Sequence, residues 1–587
     1  MSRLGVTGVT VEVPSNTGNP RRWPILGVLV VSLLVVVLDN TVLNVALRTI
    51  ADPVRGLGAS QENLEWAVNA YTLVFAGLLF TAGITGDRIG RRKMLLIGLA
   101  LFGLASLASA YSRSPTQLIW ARALMGVGAA AIMPSTLSII SNIFDPRERG
   151  KAIGIWAGAV GLGVAIGPVI GGLLLENFWW GSVFLINVPV VIVGLVAMAL
   201  MVPESRDSNP GRHDVVGVVL TIAGLITFVY GIINGGQRSF GQVQSWGMIL
   251  LGVAILAAFV WYESRTDHPS LDVRLFRNPR FSASIGAVGL VFFAALGTLF
   301  FLSFYLQLVR GYSPLQSGLL VTPFAAAQVI FAPLSSSMVK RFGPKAVCAV
   351  GLAFVAAGLS GFAMLGARSP IWLLCLFFFV QGVGMANVMP PATESIMSSV
   401  PRERAGVGSA VQNIVRQVGG ALGVAVLGSV ISSVYRMRIG GALVDLPGPV
   451  QQAASSSISA AYAVAGQTGP FAPRLIATAN DAFVTAMHWA AGTSAIVALL
   501  GIGVVLVWLP RRTAPDQTRP EPGPEGPSRL ASGNRRWPSN VDVLVSDPVP
   551  AAELASGRRL TLARRREPPT AALRQRRDCQ DTIRRME

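Results

Sequence analysis

Long apolar stretches alternate with short polar segments along most of this chain. Each stretch approaches the ~20 residues that an α-helix needs to cross the hydrocarbon core of a bilayer. Backbone groups in lipid must be satisfied within the segment itself, so the stretches are predicted as helices. Fourteen spans are predicted, with approximate limits 24–47, 64–86, 94–112, 115–141, 152–175, 180–202, 214–234, 245–262, 281–308, 315–338, 345–366, 370–398, 405–434 and 482–509. The predicted fold class is therefore all-α integral membrane.

The polar segments between the spans predict the orientation of the helices. Lys and Arg are more numerous in segments that follow even-numbered spans, such as 88–93, than in those that follow odd-numbered ones. Because cytoplasmic loops carry the excess of positive residues, the even segments and both termini are predicted to be cytoplasmic. We expect a multi-pass protein of the plasma (inner) membrane. The longest external loop, about 435–481, has an Ala/Ser-rich middle that could form a short helical hairpin.

The two ends of the chain differ from the spans. Residues 1–23 contain no apolar core, so they are predicted to be a cytoplasmic segment without a cleaved signal peptide. Residues 511–587 are rich in Arg, Pro, Glu and Ser, which predicts a disordered basic cytoplasmic tail. The arginines at 564–566 are candidates for contact with anionic lipid headgroups, and a solvated tail is the alternative.

Composition changes the meaning of the net charge. A formal charge of +19 would suggest a nucleic-acid partner in a soluble protein. Only 13% of the residues are charged, however, against roughly 25% in soluble domains, while 52% are hydrophobic. Most of the positive charge also lies in the predicted loops and tail. We therefore expect membrane lipid, and not nucleic acid, around this protein.

An internal repeat divides the spans into two halves. The strings Arg-Ser-Pro and Pro-Arg-Glu-Arg each occur twice, 255 residues apart, and Gly-Val-Gly and Met-Pro recur at an offset of 256. The paired strings begin at 113 and 368, 146 and 401, 126 and 382, and 133 and 389. A duplicated six-helix unit is predicted, with bundles at 24–202 and 281–510 and two additional helices within 203–280. Parallel repeats of this kind build transporters with a binding site at the repeat interface.

Enzyme chemistry is not visible in the sequence. No Gly-x-x-x-x-Gly-Lys-Ser/Thr phosphate loop and no Ser/His/Asp or paired-carboxylate constellation stands out. With three histidines and three cysteines, neither a metal site nor a disulfide is expected, and no cofactor is predicted. Transport would therefore have to run on a gradient.

Four ionisable residues lie well inside predicted spans: Asp39, Arg122, Glu394 and Arg416. An intramembrane charge costs at least ~2.5–3.5 kcal/mol on insertion scales, so each is a functional candidate. Asp39 and Arg122 both lie about 10–12 Å from the outer edge of their spans, at about 1.5 Å per residue. Equal depth permits an ion pair, which is either structural or part of transport. We expect a transport role, with Asp39 as the proton-coupling carboxylate and Arg122 helping to set when it releases its proton.

The other two intramembrane charges are open to several interpretations. Glu394, near the inner end of its span, is either an interfacial carboxylate or a functional one. Arg416 lies about 11 residues into its span, deeper than easy snorkelling allows. It could bind substrate, pair with Glu394, or tie helices together.

The fifth predicted span is rich in glycine. Gly163, Gly167 and Gly171 recur at four-residue spacing, which favours a face of small residues for close helix contact. Pro168 is expected to bend the helix there. Taken alone, the pattern is also compatible with ordinary packing.

Together these segments resemble the major facilitator superfamily, and specifically its fourteen-helix drug:proton antiporter branch. The resemblance covers about 24–509. Residues 83–93 look like the superfamily signature between helices 2 and 3. Residues 118–130 resemble the proton-transfer motif of helix 4, and residues 163–172 resemble the antiporter motif of helix 5. Residues 38–47 are similar to the helix 1 motif of this branch, and residues 184–189 match a further signature of it.

The resemblance implies roles for individual residues. The conformational-switch motif comprises Gly83, Gly86, Asp87, Arg88, Gly90, Arg91 and Arg92. The antiporter motif comprises Gly163, Gly167, Pro168, Gly171 and Gly172. Possible substrate or coupling residues are Asn69, Tyr71, Glu394, Asn413, Arg416 and Gln417. A basic run alone could be a positive-inside anchor, but an anchor does not need Asp87, which could hold the halves together in one state and release them in another.

The chain departs from the pattern of the branch at two places. The helix 1 motif usually ends in proline, and here it ends in Arg48. Quaternary-ammonium exporters often carry acids in helices 2 and 13, where this chain has Asn69, Asn413 and Gln417. Strong recognition of dications is therefore not expected.

The predicted function is proton-coupled export of lipophilic drugs or toxic small molecules by a protein that works as a monomer. A proton-coupled uptake symporter on the same fold is the alternative, and the helix 5 motif argues against it. A membrane enzyme or receptor is a third class, for which the short loops offer no catalytic constellation. The expected partners are a small-molecule substrate, protons and membrane lipid.

Overall fold

The computed structural model describes residues 21–206, 214–238, 240, 242–266, 273–400, 405–440, 443, 447–466 and 468–509. Fourteen long helices make up most of this part of the chain. The first eight are α1 (Arg22–Ala51), α2 (Gln61–Ile89), α3 (Arg91–Ala110), α4 (Pro115–Ile143), α5 (Pro146–Asn177), α6 (Ser182–Met201), α7 (Val215–Gln237) and α8 (Val243–Arg265). The next six are α9 (Pro279–Val309), α10 (Pro314–Leu320 and Thr322–Phe342), α11 (Pro344–Phe362), α12 (Ile371–Ser398), α13 (Ala405–Ile439) and α14 (Ala472–Trp508). The predicted tail at 511–587 and most of the predicted segment 1–23 lie outside the described residues.

The helices confirm the predicted all-α membrane fold. Among the described residues, thirteen helices are long and apolar enough to cross a bilayer. The remaining one, α5, runs for 32 residues, and its apolar part includes Ile166–Asn177. Each helix coincides with one of the predicted spans, so the hydrophobic pattern located the elements correctly.

The structure differs from the predicted boundaries in three places. α6 is interrupted after Ser182–Leu185 and resumes at Asn187–Met201. α14 begins at Ala472, ten residues before the predicted span, because the helix continues past the apolar run into a polar segment. The predicted long loop is shortened accordingly, and it contains two short helices, Gly448–Ser456 and Ile458–Ala465.

Local sequence signals explain where several helices begin and end. The Ser60 and Ser114 side chains accept hydrogen bonds from backbone N–H groups in the first turns of α2 and α4, which satisfies donors that the helix leaves free. Gly90 ends α2 with φ 117°, and Gly343 ends α10 with φ 83°. Both are left-handed conformations that glycine adopts without strain. They occupy corresponding positions in the two repeats, between helices 2 and 3 of each.

The repeated Gly-Val-Gly strings perform the same packing function in both halves. A Cβ added to Gly126 of α4 would lie 2.6 Å from the Tyr71 carbonyl of α2, and one added to Gly128 would lie 2.8 Å from the Phe102 nitrogen of α3. In the second half, Gly382 of α12 lies equally close to α10, and Gly384 to α11. Small residues let helix backbones approach closely in membranes.

The contacts between halves lie toward one end of the bundle. We call the end at which α1 begins the Arg22 end, and the end at which it finishes the Ala51 end. Near the Ala51 end, Ser303 Oγ of α9 donates to the Asn44 carbonyl at 2.5 Å, and Gln307 Nε2 donates to the Val45 carbonyl at 2.9 Å. Gly172 of α5 also packs against the start of α10 there. This conformation is therefore closed at the Ala51 end.

The two additional helices are attached to both halves. α7 and α8 approach closely through Gly231 and Gly252, which leave no space for a side chain. α7 then packs against α2 and α13 in an apolar cluster that includes Leu73, Val229 and Ala425. The pair thus lies beside the junction of α2 and α13.

Candidate functional site: a buried ion pair on α1 and α4

The structure brings Asp39 and Arg122 together inside the first half. Arg122 Nη1 forms an ion pair with Asp39 Oδ2, and both side chains are almost completely buried, with 0% and 1% exposed. Asp39 lies near the middle of α1, and Arg122 lies in the third turn of α4. Breaking such a buried pair by removing one partner typically costs about 3–5 kcal/mol, because the remaining charge is uncompensated.

Arg122 is held by two further groups on α2. Its Nε donates to the Ala67 carbonyl at 3.1 Å, and its guanidinium lies over the Tyr71 ring, 4.4 Å from the centroid. A cation over an aromatic face is attracted by the ring quadrupole, most strongly when water is excluded. Nη2 has no hydrogen-bond partner among the described residues. The guanidinium therefore has N–H groups at this site that could donate a further hydrogen bond.

The carboxylate has a second partner that the sequence did not identify as a site residue. Asn187 Nδ2 lies 3.3 Å from Asp39 Oδ1 and 3.1 Å from Ser106 Oγ, which in turn donates to the Phe184 carbonyl at 2.8 Å. Asn187 follows the interruption in α6, and that break brings it to α1. In the sequence it belongs to the signature at 184–189, which does not indicate a contact with Asp39. The position of Asn187, a polar residue within an apolar predicted span, is the sequence feature that could have indicated a buried polar contact.

The glycines of α5 face α1, the helix that carries Asp39. A Cβ added to Gly163 would lie 2.9 Å from Val37 Cγ1, and one added to Gly171 would lie 3.0 Å from Val42 Cγ1. A Cβ at Gly167 would overlap Thr41 Oγ1. The four-residue spacing thus produces close helix contact, with Pro168 inside the helix between these contacts.

A neighbouring side of α5 faces the second half. Gly172 leaves room for Pro314 and Leu315, and Gly318 of α10 lies against the Pro168 carbonyl. α5 therefore contacts α1 through one row of glycines and α10 through another position, which couples the helix of the ion pair to the junction of the halves.

The switch motif forms a compact turn between α2 and α3. Asp87 Oδ1 pairs with Arg91 Nε at 2.8 Å across Gly90. Arg92 Nη2 donates to the Ala199 carbonyl at 2.6 Å, and its backbone N–H donates to Glu204 Oε1 at 3.2 Å. Asp87 thus pairs within the first half in this conformation.

The remaining residues of this motif are placed around the same turn. Gly83 faces Pro134 of α4, and Gly86 leaves space for Met94 of α3. Arg88 lies exposed in the last turn of α2.

The candidate residues of α12 and α13 do not join the ion pair. Glu394 is exposed, and Arg416 is not paired with it in the described part of the chain. Arg416 lies over the Phe292 ring of α9, 5.5 Å from its centroid. Asn413 Nδ2 donates to the Ser409 carbonyl of its own helix at 3.0 Å, and Gln417 is partly buried on the same helix.

Asn69 of α2 is different because it is completely buried. Neither polar atom of its amide has a hydrogen-bond partner among the described residues. It lies two residues from Ala67 and Tyr71, so it points to the side of α2 away from Arg122.

A mostly apolar cavity lies between the halves, on another side of the helix that carries Asp39. It is lined by Thr41, Asn44, Val45, Pro168, Leu299, Leu302, Ser303, Leu306, Ser317, Val321 and Phe324. Such a lining suits a lipophilic molecule, with a few polar groups to orient it. Asp39 is not in the lining, but Thr41 lies two residues along the same helix.

Comparison with known proteins identifies relatives along most of the chain. The protein is 35% identical over 534 residues to the tetracenomycin C resistance and export protein of Streptomyces glaucescens, covering 89% of this chain and 98% of that protein. It is 37% identical over 499 residues to the multidrug efflux pump LfrA of Mycolicibacterium smegmatis, covering 84% and 97%. It is 32% identical over 493 residues to the methyl viologen resistance protein SmvA of Salmonella typhimurium, covering 83% and 97%.

The fold comparison agrees with these relatives. The inward-facing crystal structure of a bacterial homologue of the human lysosomal transporter Spinster covers 85% of this chain and all of that one, with a TM-score of 0.60 and 16% identity. The sequence profile of the Major Facilitator Superfamily matches residues 29–424. The protein is a membrane transporter and not an enzyme. As its motifs predicted, the chain belongs to the Major Facilitator Superfamily.

Proposed function

We propose that this protein is a proton-coupled antiporter that exports lipophilic drugs or other toxic small molecules across the plasma membrane. The observation that carries the proposal is the buried Asp39–Arg122 pair between α1 and α4, together with a mostly apolar cavity whose lining includes Thr41 of the same α1 helix. Relatives named as resistance and export proteins support the direction of transport.

The geometry supports a simple coupling cycle. Asp39 is either ionised and paired with Arg122, or protonated, and the pair is weakened in the second case. A proton taken up from outside would release Arg122, and a substrate that enters the cavity from inside would favour the ionised, paired form. Each charge moved through the membrane is worth about 2.3 kcal/mol per 100 mV, which is sufficient to drive accumulation.

The proposal includes the orientation of the protein in the membrane and its function as a monomer. The distribution of Lys and Arg supports cytoplasmic termini, and in that orientation the Ala51 end faces outward. One chain supplies both halves around the cavity, which is consistent with action as a monomer. The relatives named here are resistance and export proteins, and none favours uptake.

The decisive test is Asp39→Asn, which preserves shape and removes the titratable group. Efflux of a lipophilic dye from energised cells should be abolished, as it should be in the native protein when a protonophore is added. Glu176→Gln, which removes an exposed acid at the end of α5, is the matched control and should export normally. Native-rate efflux by Asp39→Asn that remains sensitive to the protonophore would place coupling at another residue.

A further inference from the structure

A second buried carboxylate lies outside the ion pair. Glu65, in the second turn of α2, is completely buried. Gln61 Nε2 donates to its Oε1 at a long 3.4 Å, and Oε2 has no hydrogen-bond partner among the described residues. No described ion pair includes it. A buried carboxylate with so few partners requires an explanation.

Glu65 occupies the junction between the two halves. Its carboxylate packs on Gly428 of α13, where any Cβ would overlap it. The next residue, Ser429, donates its hydroxyl to the Ile232 carbonyl of α7 at 2.9 Å. The rest of this junction is the apolar cluster of α2, α7 and α13. Glu65 is therefore buried only as long as α2 and α13 remain in contact.

The charges around Glu65 do not compensate it. Within electrostatic range on its own helix is Glu62, which has the same sign. On α7 the titratable neighbour is Tyr230, whose ring contacts Trp66. On α13 the nearest cation in sequence is Arg436, two turns beyond Gly428, and its guanidinium donates to the Gly236 carbonyl. An unpaired ionised carboxylate in such a place is far more costly than a neutral acid.

We propose that Glu65 is a second proton-binding site, one that must be protonated before the halves can close at the Ala51 end. When this end is open, Glu65 faces water and ionises. A proton from the same side neutralises it, after which α13 can pack over it through Gly428. The proposal rests on the proposed function, because it takes the Ala51 end as the outer one.

This site differs in its task from Asp39. Ala67 and Tyr71 show that one face of α2 belongs to the ion pair. Glu65 and Asn69 lie on the opposite face, where Glu65 contacts α13. Glu65 is sealed when the Ala51 end is closed, so it gains and loses its proton on that side only. It is a gate sensitive to external protons, and Asp39 is the group that carries a proton through.

The test is a distance measurement across the Ala51 end in purified full-length protein. Spin labels are attached at Val54→Cys on the first half and Met364→Cys on the second, both strongly exposed positions, with the native cysteines replaced by alanine. In the native background, lowering the pH from mildly alkaline to mildly acidic should shift the population toward the short, closed distance. Glu65→Gln should be closed at both pH values and lose that shift.

Three variants complete the design. Glu62→Gln removes the same charge three residues earlier at a partly exposed position and should keep the shift. Asp39→Asn should also keep it, even though efflux is lost. Glu65→Met, an apolar side chain of similar length, should reproduce Glu65→Gln, because closure requires only a neutral group at this position.

The results separate this proposal from the proposed function. An unchanged shift in Glu65→Gln, or its loss in Glu62→Gln or Asp39→Asn, overturns the gate. Efflux by Asp39→Asn bears on the coupling carboxylate alone, whatever the labels report.

Discussion

Arg122 is a fully buried cation that contacts α1 and α2 through three different kinds of interaction. Its charge pairs with Asp39, its Nε donates to a backbone carbonyl, and its guanidinium lies over the Tyr71 ring. Lysine could replace the charge, but its compact ammonium lacks the planar fork with which guanidinium reaches the carboxylate, the carbonyl and the ring at the same time. The residue therefore fixes the geometry of the pair as well as its charge.

We predict that Arg122→Ala remains inserted in the membrane but loses gradient-driven efflux. Asp39 would be left buried without its cation, a change that typically costs about 3–5 kcal/mol. Dye efflux at matched expression is the measurement, and Arg113→Ala, an exposed position before α4, is the control. Full efflux in Arg122→Ala would contradict a role for the pair.

The pair could be predicted from sequence, and parts of its surroundings could not. Asp39 and Arg122 are conspicuous because they interrupt apolar runs at equal depth. Asn187 reaches Asp39 only because α6 breaks at Ile186, and hydrophobic periodicity does not report such a break. Glu65 lies at the edge of its predicted span, where an acid is easily interpreted as facing the membrane surface. Its burial depends on α13, which is more than 300 residues away.

At the scale of the element, the spacing of the glycines on α5 determines which positions accept a larger side chain. We predict that Gly167→Ala reduces efflux and that Gly167→Leu abolishes it, because any Cβ there meets Thr41 and a larger side chain displaces α1. Overpacking of this kind costs typically about 1–3 kcal/mol. Gly158→Ala on the same helix, where a Cβ meets nothing within 4 Å, should export normally. Normal transport by Gly167→Leu is the result that would refute the packing argument.

The repeated glycines make a second prediction, this time about stability. Gly382→Ala should lower the thermal stability of the detergent-purified protein, because its Cβ would overlap the Phe324 carbonyl of α10. Gly126→Ala should have a comparable effect in the first half. Gly286→Ala, with open space around it, is the control for both. Equal melting temperatures for Gly382→Ala and Gly286→Ala would show that the helices can separate at little cost.

At the scale of the whole molecule, the repeat was predictable because the same short sequences, such as Gly-Val-Gly, make the same helix contacts in both halves. Gly126 and Gly382 meet the second helix of their halves, and Gly90 and Gly343 make the same turn. The position of α7 and α8 was not predictable in this way. They have no counterpart in the repeat, and the place of α7 beside α2 and α13, with α8 packed on α7, depends on packing alone.

The tail supplies a prediction for the intact chain. A protein truncated after Pro515 should insert and export at the native rate, because residues 511–587 have no apolar run and no acid at membrane depth. Efflux and membrane abundance of the truncated and full-length proteins are the measurements. A stable truncated protein without activity would show that the tail takes part in transport.

The hydrogen bonds that Ser303 and Gln307 form at the closed Ala51 end use side chains on α9 but only the backbone of α1. Ser303 and Gln307 donate with their side chains, but Asn44 and Val45 accept with their backbone carbonyls. A substitution on α9 can delete either bond, and almost no substitution on α1 can. Selection for altered export should therefore draw its variants from α9, and α1 should contribute few, although both helices form the same closure.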